Sequence, residues 1–134
     1  MARVSARVEI NEAEFNRQTQ AFARRRMASL QRRIANQARQ DVPVRTGNLG
    51  RQVKEGAIRT VGPRTVHGSV LDTADYALYV HEGTRPHLIR PRRAKALRFE
   101  IGGRTVFAKL VRHPGTRARP FLRNAGVRVA AAER

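Results

Sequence analysis

The chain has 134 residues, 40% of them hydrophobic and 5% aromatic, with 28 Lys and Arg against ten Asp and Glu, a formal net charge of +18. That size predicts a single domain, 1–134, burying about two-thirds of its unfolded surface. The absence of cysteine excludes a disulfide scaffold, a thiolate zinc site and a thiol nucleophile, and no run of about 18 apolar residues predicts a membrane span or an export signal.

Much of the apolar fraction is alanine and valine, so the expected core is thin and in need of a partner chain to finish it. The only lysines are Lys54, Lys95 and Lys109; the rest of the surplus is arginine. Such a surplus repels itself and is tolerated where a polyanion or an acidic neighbour supplies counter-charge.

Val4, Ala6, Val8 and Ile10 alternate with Arg3, Ser5, Arg7 and Glu9, the period of a half-buried strand. Asn11 then predicts an N-cap, with Glu12 and Glu14 opposing the helix dipole in the first turn. A long helix follows to about Gln40, on an apolar stripe of Phe15, Phe22, Ala23, Met27, Leu30, Ile34 and Ala38. Its other face carries Arg17, Arg24, Arg25, Arg32, Arg33 and Arg39, and Pro43 ends it. In "RTGNLGRQV" Thr46 caps a short helical turn and Gly47 permits a sharp bend.

Residues 53–61 and 64–72 read as two strands joined at "VGPR". Thr73 or Asp75 opens a short helix, "ADYALYVHEG", that Gly83 ends. A basic extended arm near 85–96 leads into a hairpin, Leu97, Phe99 and Ile101 before Gly102-Gly103 and Val106 and Phe107 after it. "RHPGTRARP" is a loop, and Pro120 starts a short C-terminal helix, 120–132. The sum is an α+β fold, a long N-terminal helix and short helices packed on an antiparallel sheet of four to five strands.

The candidate chemistry is sparse. His67, His81, His87 and His113 lie 14, 6 and 26 residues apart, which is not the spacing of a zinc site. Asp72 and Asp75, with Glu82 further on, fit a helix cap better than the magnesium cluster of a nuclease. No nucleophile elbow, phosphate loop or dinucleotide fingerprint occurs, so neither an enzyme nor a cofactor is expected. "EGT" and "HPGT" are glycine turns of the kind that form small anion-holding nests, a feature that also arises by accident. From Arg85 to Arg128 eleven Arg and two Lys face one acid, Glu100. That is a phosphate-neutralising composition. It comes with none of the patterns of a sequence-reading motif, and Phe99, Phe107 and Phe121 sit at core-like positions rather than on a stacking platform.

Three segments occur in order: Pro43-Val44-Arg45-Thr46-Gly47-Asn48-Leu49, Tyr76-Ala77-Leu78-Tyr79-Val80-His81-Glu82-Gly83-Thr84, and Ala118-Arg119-Pro120-Phe121-Leu122. In this order and spacing the chain resembles, over about residues 12–128, the neck or tail-completion (head–tail joining) proteins of long-tailed bacteriophages. It departs from them at His81, where an aromatic residue is common, and at Gly50, where a basic or polar one is.

The resemblance implies a structural, non-catalytic subunit of the virion, present in the host cytoplasm during assembly. It implies a homo-oligomeric ring, a hexamer or else a dodecamer, joining the capsid connector or stopper to the tail terminator and tail tube. Packaged double-stranded DNA would pass through it by non-specific proximity, with no membrane involved. On that reading the subunit contacts come from Thr46, Gly47 and Leu49, from Tyr76, Tyr79, His81, Gly83 and Thr84, and from Arg85, Pro86, His87 and His113, with Pro120, Phe121 and Leu122 closing the set. Arg24, Arg25, Arg32 and Arg33 of the helix and Arg90, Arg92 and Arg93 of the arm would face the DNA channel. The alternative is a free-standing basic nucleic-acid-binding protein of nucleoid or ribosome type, with steeply salt-dependent binding.

Overall fold

The computed structural model describes residues 7–43, 45 and 47–133. The chain is α+β and divides into two compact units, Met1–Ala74 with Phe121–Arg134, and Asp75–Pro120.

The first unit is organised by α1, Glu12–Asp41. The Asn11 side chain accepts from the Glu14 N–H at 3.1 Å, and Glu12 and Glu14 occupy the first turn, as the sequence predicts. At about 100° per residue, the buried face defined by Gln31, Ala35 and Ala38 continues upstream through Met27, Ala23, Gln20 and Asn16. Phe15 and Phe22 lie well off that line and are 47% and 65% exposed, so the expected stripe is apolar and inward only from Ala23 onward. Upstream of it the inward face is polar. Gln20 Nε2 donates to Pro63 O at 2.9 Å, and Arg64 Nε donates to Asn16 Oδ1 at 3.1 Å while its guanidinium sits 5.0 Å above the Phe15 ring.

Val8 and Ile10, expected in a strand, are exposed and unpaired in irregular chain; residues 1–6 of that strand lie outside the described residues, as does the Thr46 cap. The short helix α2, Asn48–Gln52, begins instead at Gly47, whose φ of 71° is left-handed, and it buries Leu49.

The two strands expected over 53–72 are broken into two ladders. β1, Val53–Glu55, pairs antiparallel with β4, Val70–Asp72, and β2, Arg59–Gly62, pairs with β3, Thr65–His67. The break lies where the helix comes closest. Gln31 is 3% exposed, and its Nε2 donates to Gly56 O at 2.8 Å and to Ser69 O at 2.7 Å. A Cβ on Gly68 would stand 2.7 Å from Met27 Cγ and 2.8 Å from Gln31 Cδ, so only glycine lets the hairpin approach α1 this closely. Ser69 O also takes the Gly56 N–H, whereas Gly56 O depends on Gln31. Gln31→Leu, nearly isosteric, strands that carbonyl and is expected to cost about 1–3 kcal/mol. The check is a lower urea midpoint with an unchanged slope.

α4, Phe121–Ala131, buries Phe121, Ala125 and Val129 at helical spacing and packs on α1. Polar contacts lock the pair: Glu133 takes both Arg26 and Arg33 of α1, and Arg128 reaches Asp41 at 2.8 Å. Leu49, Val53 and Phe121 share the buried set with small side chains, Ala35, Ala38 and Ala125, the thin core that the composition foretells.

The second unit begins with α3, Ala77–Glu82, which has Tyr76 rather than Thr73 or Asp75 at its cap. β5, His87–Ile89, pairs antiparallel with β8, Val111–His113. β6, Leu97–Ile101, pairs with β7, Arg104–Ala108, through Gly102 and Gly103, whose φ values of 56° and 77° give the expected tight turn. The arm expected near 85–96 is thus pinned over 87–89 by β8.

Among the described residues the strands form four separate two-stranded ladders rather than one sheet of four to five strands. Each described strand is only three to five residues long. Ala77 is the only buried residue among all those from Asp75 to Pro120.

Candidate functional site

In the second unit the two glycine turns singled out in the sequence meet. α3 ends at Gly83, with φ 74° and ψ 179°, a region essentially reserved for glycine. The next residue, Thr84, forms an antiparallel bridge with Thr116. Thr84 N–H donates to Thr116 O at 3.0 Å, Thr116 N–H donates to Thr84 O at 3.1 Å, and the two hydroxyls lie 3.0 Å apart. Gly115, φ 87°, precedes Thr116 just as Gly83 precedes Thr84.

The packing at the crossing is reciprocal. A Cβ on Gly83 would stand 2.5 Å from Thr116 O and 2.7 Å from Ala118 N, and one on Gly115 would run into Thr84 O and stand 2.9 Å from Arg85 C. All of these atoms are backbone, so nothing at the crossing can swing aside. Arg119 N–H completes the clasp by donating to Val80 O, in the last turn of α3, at 2.9 Å.

Beyond the crossing the chains continue as β5 and β8, and His87 faces His113 with ring centroids 5.0 Å apart at 29°. His113 Nδ1 accepts the Gly115 N–H at 3.1 Å, and His87 Nδ1 donates to Arg85 O at 2.9 Å. These bonds orient both rings from the same turns that make the crossing. Tyr79, Gly83, Thr84, Arg85 and His87 line an open groove of about 550 Å³, with Tyr79 60% exposed as one wall.

The expected contact residues fall into two groups. Tyr76, Tyr79, Arg85, Pro86 and His87 are exposed around the crossing, with Gly83, Thr84 and His113 half-buried within it. His81 is half-buried, and its Nδ1 bonds Glu82 Oε1 at 2.6 Å. Leu49 and Phe121, by contrast, are core side chains of the first unit, 4% and 3% exposed, and Gly47 serves the α2 cap. Pro120 and Leu122, the chain neighbours of Phe121, are half-buried.

The arginines expected to face a channel are all exposed. Arg33 shares Glu133 with Arg26, and Arg24 donates to Thr60 Oγ1 at 3.2 Å, whereas Arg25, Arg32, Arg90, Arg92 and Arg93 make no ion pair with a described residue. Phe107, expected in the core, is 67% exposed. The register pairs it with Arg98 while its neighbour Val106 pairs with Phe99, and adjacent strand residues cannot share a face.

Asp72 makes a turn rather than a metal site. Its Oδ1 accepts the Ala74 N–H at 2.9 Å, Oδ2 is buried without a partner, and burial pushes the carboxyl above its ordinary value against the pull of that hydrogen bond. No cluster of three or more metal-ligating side chains occurs among the described residues, and no described helix is long and apolar enough to cross a membrane.

Sequence reasoning missed the Gln31 clamp, because one glutamine among five on a basic helix carries no signal of what its amide will bond. The crossing was legible only as two separate Gly-Thr pairs. Compared with protein-family models, with curated proteins and with solved structures, the chain finds no match in any of the three.

Proposed function

We propose that this protein is a structural, non-catalytic subunit of the head-to-tail junction of a long-tailed bacteriophage. It forms a ring, of six copies by preference, between the capsid connector or stopper and the tail terminator and tube. The observation that carries this reading is the second unit's lack of a core: 46 residues in which only Ala77 is buried. Two-stranded ribbons are marginally stable by themselves in water. Leu78, Tyr79, Leu88, Ile101 and Phe107 are all exposed there, and apolar side chains of this kind form the centre of a contact between chains.

The three motif segments, by their resemblance to those of head–tail joining proteins, point the reading to that family. The +18 charge sets a condition, because like-charged copies repel unless DNA in the channel or acidic neighbouring rings neutralise them.

Hydrogen exchange tests the proposal. In the free chain, amides of β5–β8 and β6–β7 are expected to open far more readily than those of α1, and to gain protection when the chain assembles into rings. Particles made without it would accumulate heads and tails unjoined. A monomer that never associates, with the second unit as well protected as the first, would remove the proposal.

A further inference from the structure

We infer that the segment from Arg90 to Arg98 is where this chain grips the phosphate backbone of duplex DNA, without reading its sequence. The inference rests on the junction reading for the presence of DNA, and on four observations of the chain for the place.

Arg90, Arg92, Arg93, Lys95 and Arg98 put five cations within nine residues that contain no acid, and all five are exposed. None of them is engaged in a hydrogen bond or ion pair with a described residue. The helix α1, the other basic tract, spends most of its cations within the fold. Arg17 pairs with Glu14, Arg26 and Arg33 with Glu133, Arg24 bonds Thr60, and Arg39 donates to Val53 O at 2.8 Å.

The third observation concerns the kind of partner. Residues 90–96, "RPRRAKA", hold no aromatic and no large aliphatic side chain. Arginine serves protein and nucleic-acid contacts alike, but the centre of a protein interface also takes aromatic or large apolar anchors, and this stretch has none. A phosphate backbone asks only for positive charge and donors that reach it. Composition therefore favours nucleic acid over an acidic protein surface.

The fourth is tethering. The segment leaves β5, which is fixed to β8, and enters β6, which is fixed to β7, with Pro91 between them. Holding a loop at both ends lowers the entropy cost of ordering it against a ligand.

The test compares two full-length variants of equal net charge, Arg92→Gln/Arg93→Gln in the segment and Arg17→Gln/Arg26→Gln on α1, whose cations Glu14 and Glu133 already hold. Each is titrated with KCl while bound to a fluorescent duplex of arbitrary sequence. The segment variant is expected to flatten the plot of log Kobs against log salt by about two units, near 0.9 for each phosphate that is no longer neutralised. The α1 variant is expected to keep the wild-type slope. Equal flattening in both variants, flattening in the α1 variant alone, or no duplex binding by wild type at low salt would each overturn the inference, the last pointing to an acidic protein partner. Native mass measurement on the same samples reports ring formation separately: rings that form with the segment slope unchanged sink this inference alone, whereas a chain that forms no ring sinks the junction reading.

Discussion

Replacing Gly83 by alanine is expected to abolish assembly and to collapse the ordered structure of residues 75–120 while α1 and α4 keep theirs. Two costs add at this position. A φ of 74° with ψ of 179° is strained by about 1–3 kcal/mol for any residue with a Cβ. The new Cβ would also press on Thr116 O and on Ala118 N, backbone atoms that can retreat only by opening the Thr84–Thr116 bridge. A unit that buries only Ala77 has little hydrophobic stabilisation with which to absorb the two costs together.

Gly102→Ala is the matched control. It too has a positive φ, 56°, and carries backbone strain as alanine, but nothing lies within 4 Å of its Cβ, so the Thr84–Thr116 bridge stays closed and the variant is expected to assemble, somewhat less stably than the wild type. The readouts are native mass for the ring and amide chemical-shift dispersion for the second unit. A Gly83→Ala chain that assembles normally would show that the crossing is not what holds this unit.

Phe121→Ala is expected to lower the stability of the isolated chain by about 3–5 kcal/mol, a large part of the roughly 5–15 kcal/mol available to a domain of this size. Phe121 is by volume the largest side chain of a buried set otherwise made of Leu49, three valines, alanines and Gln31, and it anchors α4 on α1. Urea denaturation would record the loss as a lower midpoint. Placed at a subunit contact instead, the same substitution would leave the midpoint alone and weaken only assembly; the 3% exposure of the ring separates these outcomes in advance.

The sequence made the ends of the elements easier to read than their faces. Asn11, Pro43, Gly83 and Gly102-Gly103 act through local backbone chemistry, and each delimits an element where expected. Faces depend on what packs against them. Phe15 and Phe22 suggested an inward stripe by hydrophobicity alone, yet the partner surface at that end of α1 is the turn at Pro63-Arg64, which asks for Gln20 and Asn16.

Sheet order failed for a related reason. A pattern of short alternating runs gives the number of strands poorly, and Gly56 and Gly68 marked a break that only the approach of Gln31 explains. The crossing was visible as two Gly-Thr pairs 32 residues apart, but their meeting is a tertiary fact that spacing does not carry.

The separate ladders have a cost of their own. Each strand of a two-stranded ribbon keeps an outer row of amides and carbonyls that no other described strand takes up, and such margins are templates for zippering to a stray copy. The arginine surplus opposes this: mutual repulsion keeps newly made chains from sticking margin to margin, a protection that concentrated salt strips away as the screening length shrinks to about 3 Å.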